Sequence, residues 1–360
     1  MDRILSELVK NFRMELDDTN EVPYGNGHIN ETYVVGHKKR YILQKINTNV
    51  FRDPEAVMRN IEAVTAHLRR RVAEEGGDPD SATLTIVPTT DGRSFYRASD
   101  GAYYRAYLFI ENAVCYDQVE NVEQLYHAAR AFGRFQKRLA DFPADSLAEV
   151  IPHFHDTRDR FRQLQEAIKA DRAGRVSEVL PEIAFAMERE GDTGVVLDAI
   201  ADGSVPLRVT HNDTKLNNVM LDTKTGEGVC VIDLDTVMPG SLLYDYGDAL
   251  RFGASSGAED EPDLTKIFFR LDCYEAFTRG FVEELGDALT AKEKALLPFS
   301  VRLMTYECGI RFLTDYLNGD TYFRIHRPRQ NLDRCRTQFR LVSDMEAKVG
   351  QMTEILHRYI

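Results

Sequence analysis

Residues 208–218 read Arg-Val-Thr-His-Asn-Asp-Thr-Lys-Leu-Asn-Asn, a short apolar run ending in a polar loop that carries His211, Asp213, Lys215 and Asn218. A second apolar run, Val-Cys-Val-Ile, ends on Asp233. One strand end offering a base and another offering a metal ligand is how a phosphoryl-transfer site is built. An attacking hydroxyl needs a proton acceptor within hydrogen-bond reach, and Asp213 is the candidate. Polyphosphate carries Mg²⁺, a hard ion that takes oxygen ligands and keeps some waters. Asn218 offers an amide oxygen for it and Asp233 a charged one. Lys215 can set an ammonium against the moving phosphoryl group as its charge spreads. His211 is read as holding the loop's shape.

Taken singly, each of these residues reads as a turn or a helix cap. The ordered set reads differently. His-Asn-Asp-Thr-Lys-Leu-Asn-Asn follows the catalytic-loop template in which a base and a metal-ligating amide stand five residues apart. Asp233-Leu234-Asp235 stands where protein kinases carry Asp-Phe-Gly, with Asp235 in place of the glycine. Tyr244-Asp245-Tyr246-Gly247-Asp248 then supplies Asp245 to brace the loop backbone. On these motifs the chain resembles the aminoglycoside phosphotransferase and choline kinase superfamily of small-molecule kinases. The resemblance implies an α+β, protein-kinase-like bilobal fold. Its small N-lobe, residues 1–111, is an antiparallel sheet with one helix, and its larger, mainly helical C-lobe is residues 112–360.

The elements that must position the site follow in chain order. Tyr24-Gly25-Asn26-Gly27-His28-Ile29-Asn30 reads as a turn between strands, with the next strands at 31–35 and 41–46. Asn-Gly is an ordinary hairpin signal. Ahead of a catalytic loop it reads instead as a phosphate-covering turn whose backbone N–H groups face the nucleotide, with Gly25, Asn26 and Gly27 at the ATP. Protein kinases place a lysine on the following strand. Here that position is Gln44, while Lys45 is one residue off and faces the other side, so either the register shifts or another cation serves. Asp53 as N-cap and Pro54 at the first helical position start a helix. Its apolar stripe is Val57, Met58, Ile61, Val64 and Leu68, and Glu62 stands either as a cation partner or as a solvent-facing residue. Three further strands are expected within 83–111. At their end Phe109 and Glu111 would offer backbone to the adenine edge.

Beyond Asn112 the pattern is helical, with helices expected at about 120–139, 157–170, 177–190, 195–202, 263–285, 290–306 and 336–358. His153, His155 and Asp156 could suggest a metal, but with no third His or Cys nearby they read as a loop with Asp156 or Thr157 as helix cap. Thr290 and Glu293 have capping-box spacing. Arg311 falls among apolar residues, either salt-bridged to Asp315 one turn on or held as a donor fork for hydroxyls or an acyl carbonyl.

The chain has 360 residues, 43% of them apolar and 29% charged, enough for two sizeable cores. A net charge of −13 argues against nucleic acid and anionic membrane as partners. No apolar run of spanning length occurs, and the first dozen residues read as an amphipathic helix and not as a signal peptide. Five cysteines without a paired spacing read as reduced core residues of a cytoplasmic protein.

Longer blocks carry a finer resemblance. They are Tyr-Gly-Asn-Gly-His-Ile-Asn at 24–30, Tyr-Ile-Leu-Gln-Lys-Ile-Asn at 41–47, His-Phe-His-Asp-Thr at 153–157, residues 206–218, Ile-Asp-Leu-Asp-Thr-Val-Met-Pro-Gly-Ser at 232–241 and Glu-Cys-Gly-Ile-Arg-Phe-Leu at 307–313. These are similar to the bacterial N-acetylhexosamine 1-kinases over nearly the full length. The resemblance implies ATP- and Mg²⁺-dependent phosphorylation of the anomeric hydroxyl of N-acetylglucosamine or N-acetylgalactosamine. It implies Asp213 as base and a sugar pocket lined by His28, Asp213, Arg311 and Tyr322. Another small-molecule kinase, acting on a different sugar, an amino alcohol or an aminoglycoside, stays open, and carboxylates around Arg311 would favour it. So does a scaffold that binds without turnover.

Overall fold

The computed structural model describes residues 2–17, 21–25 and 29–360. In chain order the elements are α1 (Asp2–Asn11), β1 (Glu21–Pro23), β2 (Glu31–Val35), β3 (Tyr41–Ile46), α2 (Pro54–Glu74), α3 (Pro79–Ala82), β4 (Ile86–Val87), β5 (Tyr96–Arg97), β6 (Tyr103–Leu108) and β7 (Ala113–Val114). Then come α4 (Val122–Arg138), α5 (Thr157–Ala170), α6 (Leu180–Met187), α7 (Val195–Ala201), β8 (Arg208–Thr210), β9 (Val219–Asp222), β10 (Gly228–Val231), β11 (Met238–Gly240), α8 (Leu242–Gly253), α9 (Leu271–Leu285), α10 (Ala291–Leu317) and α11 (Gln330–His357). The class is α+β, with the strands gathered early and the helices late. Two compact units divide the chain. One holds residues 1–115, 138–152 and 218–239; the other holds 116–137, 153–217 and 240–360.

The first unit is built on an antiparallel sheet in the order β1-β2-β3-β6-β4, with β5 also pairing β6. Alternation sends Tyr41 and Leu43 of β3 inward, and they form a core with Leu5, Leu8 and Phe12 of α1 and Ala106 of β6. Helix α2 starts where the sequence places it: the Asp53 side chain accepts from the Ala56 N–H and Pro54 opens the first turn. All five stripe residues of α2 are buried. A second sheet, β10-β9-β7, draws residues 218–239 into this unit, since Ala113 and Val114 pair with Asp222 and Leu221.

The second unit is helical. Phe161, Tyr306, Ile310, Leu313, Phe339 and Val342 form its core from α5, α10 and α11. Thr290 and Glu293 make a reciprocal capping box at the start of α10. That helix overruns the expected end at 306 and continues to Leu317 with Pro298 inside it, because residues through Leu317 keep presenting buried apolar side chains to the same core. Gly247 lets α8 come against α10, since a Cβ there would collide with the Ser300 carbonyl. Two helices begin elsewhere than expected: α9 at Leu271, after a single 3-10 turn at 264–266, and α11 at Gln330. Among the described residues no disulfide joins the cysteines; Cys230, Cys273 and Cys335 are buried, and Cys115 and Cys308 half-buried.

Candidate active site

In the helical unit, strand β8 delivers the chain into the loop at His211. Asn212 takes a left-handed conformation, φ 66°, which asparagine tolerates better than most residues. The Asp245 carboxylate, on α8, holds this turn. It accepts the backbone N–H of His211 at 2.9 Å and of Asn212 at 2.8 Å, together with the Gln136 amide at 2.6 Å. The Thr214 hydroxyl donates to the Asp245 carbonyl at 2.6 Å. His211 is fully buried, edge-on to Phe132 and Phe135. Its Nδ1 accepts the Asp213 N–H at 3.3 Å, so it shapes the loop.

Asp213 leaves that braced turn only partly covered and pairs with Lys215 Nζ at 2.7 Å. Burial works against the Lys215 charge, but Asp213, followed by Asp248, raises its pKa above the ordinary 10.5. The ammonium is charged at neutral pH. Behind it Asp248 accepts from Arg251 Nε at 3.0 Å, and Arg251 reaches Glu259 at 3.0 Å.

The buried carboxyls around the loop differ in how they titrate. Burial pushes Asp245 above its ordinary 3.8, against the pull of His211, the two amides and Gln136. Burial acts on Asp248 too, but Arg251 and Lys215 outweigh it and hold that group below 3.8. Glu307, likewise opposed by burial, is held below 4.5 chiefly by His155. A depressed carboxyl stabilises the fold above its unfolded pKa and loses that contribution as pH falls through the folded value; a raised one contributes on the acid side and loses it as pH rises. On acidification Asp245 therefore takes its proton before Asp248, and a carboxylic acid cannot accept all three N–H donors. The expected result is a fall in kcat at a pH where the fold, still held by ionised Asp248, is intact. Parallel kcat and far-UV circular dichroism titrations read it, and coincident loss of the two refutes it.

His153, His155 and Asp156 form no metal centre. Asp156 caps α5, accepting from the Asp159 N–H. His155 is buried between two partners: Nδ1 meets Glu307 at 2.8 Å, and Nε2 meets the Asn212 carbonyl at 3.3 Å. The Thr157 hydroxyl donates to the other Glu307 oxygen at 2.6 Å. The loop at 211–218 is thus anchored to α10 through a buried imidazole–carboxylate pair.

One turn beyond Glu307 on α10 lies Arg311, close enough to contribute to the depressed Glu307 pKa. It does not pair with Asp315. That carboxylate is occupied by the backbone N–H groups of Thr321, Tyr322 and Phe323 at 2.8–2.9 Å and by the Asn331 amide at 2.9 Å. Arg311 lies instead beside the rings of Phe154 and Phe323, 5.7 and 5.5 Å from their centroids. With Arg160, Gln163, Thr314, Asn318 and Tyr322 it lines a cavity of about 180 Å³. Arg160 donates to the Phe154 carbonyl at 3.0 Å, and its Nε is buried without a hydrogen-bond partner. Burial, then the neighbouring Arg311 charge, lowers the Arg160 pKa. Among the described residues neither guanidinium makes an ion pair. Tyr322 is 71% exposed, on a backbone fixed by Asp315.

The first unit carries the other expected residues. Asn218 and Asp233 stand at one end of the β9–β10 hairpin. The ladder closes at Val219↔Val231, and the Ile232 N–H donates to the Asn218 carbonyl at 2.9 Å. Asn218 is buried; Asp233 is exposed, in a left-handed conformation of φ 57°. An amide oxygen and a carboxylate make a hard donor set that fits Mg²⁺, with the remaining positions left to water and polyphosphate. Among the described residues no three His, Cys, Asp or Glu side chains form a metal centre by themselves. Asp235 is 3% exposed and has both oxygens engaged, by Arg105 and by the Asn30 amide at 2.7 Å. Lys45 points outward to Glu31 at 3.2 Å, and the β3 register is unshifted, Thr32 facing Gln44. Glu62 is exposed, and no ion pair to it is made among the described residues. Gly25 is described, at φ +74°; Asn26, Gly27 and His28 lie outside the described residues. The Phe109 N–H donates to the Arg40 carbonyl at 3.1 Å. The Arg40 guanidinium covers the Phe109 ring at 3.8 Å and pairs with Glu111.

Sequence reasoning missed three residues with positional roles: His155 as loop anchor, Glu307 as its partner, and Arg105. The blocks around His155 and Glu307 were visible as motifs, but nothing local says that they meet.

Fold and loop chemistry define a small-molecule phosphotransferase. A family model described as "Phosphotransferase enzyme family" matches residues 21–285, and the chain belongs to that family. Among solved structures it is similar to an aminoglycoside phosphotransferase from Alicyclobacillus acidocaldarius, at 13% identity over 97% of this chain and 95% of that one, with a TM-score of 0.64. A microcompartment-associated aminopropanol kinase matches at 15% identity over 98% of each chain, TM-score 0.60. The amicoumacin kinase hAmiN, solved with AMP-PNP and Ca²⁺, matches at 13% identity over 96% and 93%, TM-score 0.60. At such identities the likeness is one of fold. No helix among the described residues is long and apolar enough to cross a membrane.

Proposed function

We propose that this chain transfers the γ-phosphoryl group of ATP to the anomeric hydroxyl of an N-acetylhexosamine, giving the sugar 1-phosphate. Asp213 accepts the hydroxyl proton. Lys215, released from its pair with Asp213, neutralises charge on the transferred group. Asn218 and Asp233 are the residues that would hold Mg²⁺, which supplies charge neutralisation on the β- and γ-phosphates. The turn at 25–27 would cover the phosphates, and the chain from Phe109 to Glu111 would meet the adenine. Arg311 and Tyr322, with His28 from the covering turn, would grip the sugar.

The observation that carries this reading is the cavity at Arg311. Two guanidiniums face it, and the one carboxylate that lines it among the described residues, Asp315, is spent on backbone amides. A polycationic aminoglycoside needs free carboxylates there. A neutral polyol bearing an acyl carbonyl needs donors, which is what Arg160 and Arg311 offer. Arg311 also lies one turn along α10 from Glu307, whose pair with His155 ends on the peptide preceding Asp213.

The test is a kinase assay over N-acetylhexosamines, unmodified hexoses, amino alcohols and aminoglycosides, with ³¹P and ¹³C NMR of the product. Phosphate on the anomeric carbon of an N-acetylhexosamine supports the reading; preferred turnover of an amine moves it to another kinase of the family, and no turnover to a binding scaffold. In the same assay Arg311→Ala is expected to raise KM for the acceptor about 10- to 100-fold or more, since a buried acceptor group is left unpaired. KM for ATP stays near its original value. Equal changes in both constants would remove Arg311 from the acceptor site.

A further inference from the structure

Three departures from the kinase pattern sit in the first unit. Gln44 replaces the strand lysine, Asp235 replaces the glycine two residues after the metal-binding aspartate, and the Glu62 carboxylate faces solvent. One side chain connects the first two. Arg105 on β6 is the cross-strand partner of Gln44, so the two side chains leave the same face of the sheet. Arg105 is 1% exposed. Its Nε donates to Gln44 Oε1 at 2.9 Å, and its Nη1 pairs with Asp235 Oδ1. The other Asp235 oxygen takes the Asn30 amide, whose own oxygen accepts the Asn47 N–H at 3.0 Å. The Tyr107 ring lies 5.4 Å from the guanidinium.

Asp235 belongs to the single turn Leu234–Thr236, which Asp233 caps in its left-handed conformation. A buried ion pair is costly to desolvate, and apolar residues of similar volume commonly hold a core as well. Its presence at this point indicates that a position, more than bulk stability, is being fixed. In protein kinases a lysine on β3 and a glutamate on the helix form the pair that must be in place. Here the cation comes from the next strand and the acid from the metal-binding turn itself.

We propose that Arg105 takes over the task of the missing strand lysine, as a positioning residue that ties the nucleotide-covering sheet to the turn carrying Asp233 by way of Asp235. Gln44 is then the residue that orients the relocated cation, and Asp235 is a tether and no metal ligand. This rests on the reading of Asp233 as the metal ligand, so the experiment separates the two.

Isothermal titration with ATP, with Mg²⁺ and with EDTA, is run on the full-length chain, alongside thermal unfolding by circular dichroism. The double variant Arg105→Met/Asp235→Leu removes both charges together and is expected to unfold near the wild-type temperature. Its Mg·ATP affinity should drop by about 10–100-fold, the usual cost of losing a group that orients a metal ligand. Affinity for metal-free ATP should change little. Should that variant not fold, Arg105→Lys, which keeps the charge but shortens its reach, should show a smaller loss in the same direction. Adding Gln44→Lys to Arg105→Met returns a cation to the same face of the sheet and should recover most of the Mg·ATP affinity. A folded double variant, or an Arg105→Lys variant, with wild-type Mg·ATP affinity overturns the proposal, as does a Gln44→Lys addition that recovers nothing. Asp233→Ala is the reference. If it keeps Mg²⁺-dependent binding, the metal-ligand reading fails. If it loses that binding while the double variant keeps it, the tether alone fails.

Discussion

Replacing Asp213 by Asn is expected to lower kcat by about 10²–10⁴-fold, the usual contribution of a positioned general base. That is roughly 2.7–5.5 kcal/mol of transition-state stabilisation. The substitution keeps the side chain's shape and removes its capacity to take a proton. The loop should keep its form, because its brace is elsewhere: Asp245 on the His211 and Asn212 amides and His155 on the Asn212 carbonyl. Lys215 loses its 2.7 Å partner but retains the nearby Asp248 charge, so the stability change is on the order of 1 kcal/mol for a half-buried pair. ATP affinity is expected to stay near wild type. Steady-state kinetics with ATP titration checks all three, and near-normal turnover in the folded variant would remove Asp213 as base.

Asp233→Ala is expected to abolish Mg²⁺-dependent nucleotide binding. It would delete the charged member of the proposed two-oxygen set and leave the Asn218 amide at that end of the hairpin. Asp235 cannot stand in, since both of its oxygens are committed within the buried network to Arg105 and Asn30. The backbone adds a smaller effect. At φ 57° alanine is less tolerant of the left-handed conformation than aspartate, so Asp233→Asn is the better geometric control. Calorimetry with and without Mg²⁺ reads the loss. A variant that kept metal-dependent affinity would place the ligand elsewhere.

Much of this was legible along the chain because it is local. Asp213, Lys215 and Asn218 share one loop, the Asp53–Pro54 start of α2 is written in adjacent residues, and β2 and β3 fall where their alternation places them. What escaped depends on distance. His155 and Glu307 are 152 positions apart, and Arg105 and Asp235 are 130 apart. Each looks like an ordinary polar residue until the fold brings its partner. Arg311 shows the reverse case. Of its two readings, the salt bridge to its helical neighbour at i+4 is absent because the loop after α10 claims Asp315 first. The helix at 290–306 and the apolar helix around Arg311 were both legible, but that they are one continuous α10 was not.

The grip of Asp315 on three successive peptide N–H groups has a consequence for how such a pocket diversifies. The anchor holds main chain and is indifferent to what side chains positions 321–323 carry. The exposed Thr321 and Tyr322 can therefore be exchanged through mutation while the segment bearing them keeps its course, whereas Phe323 packs on Phe312. On the acceptor-site reading proposed above, those two positions are free to vary, while a change at Asp315 would unseat the whole rim at once.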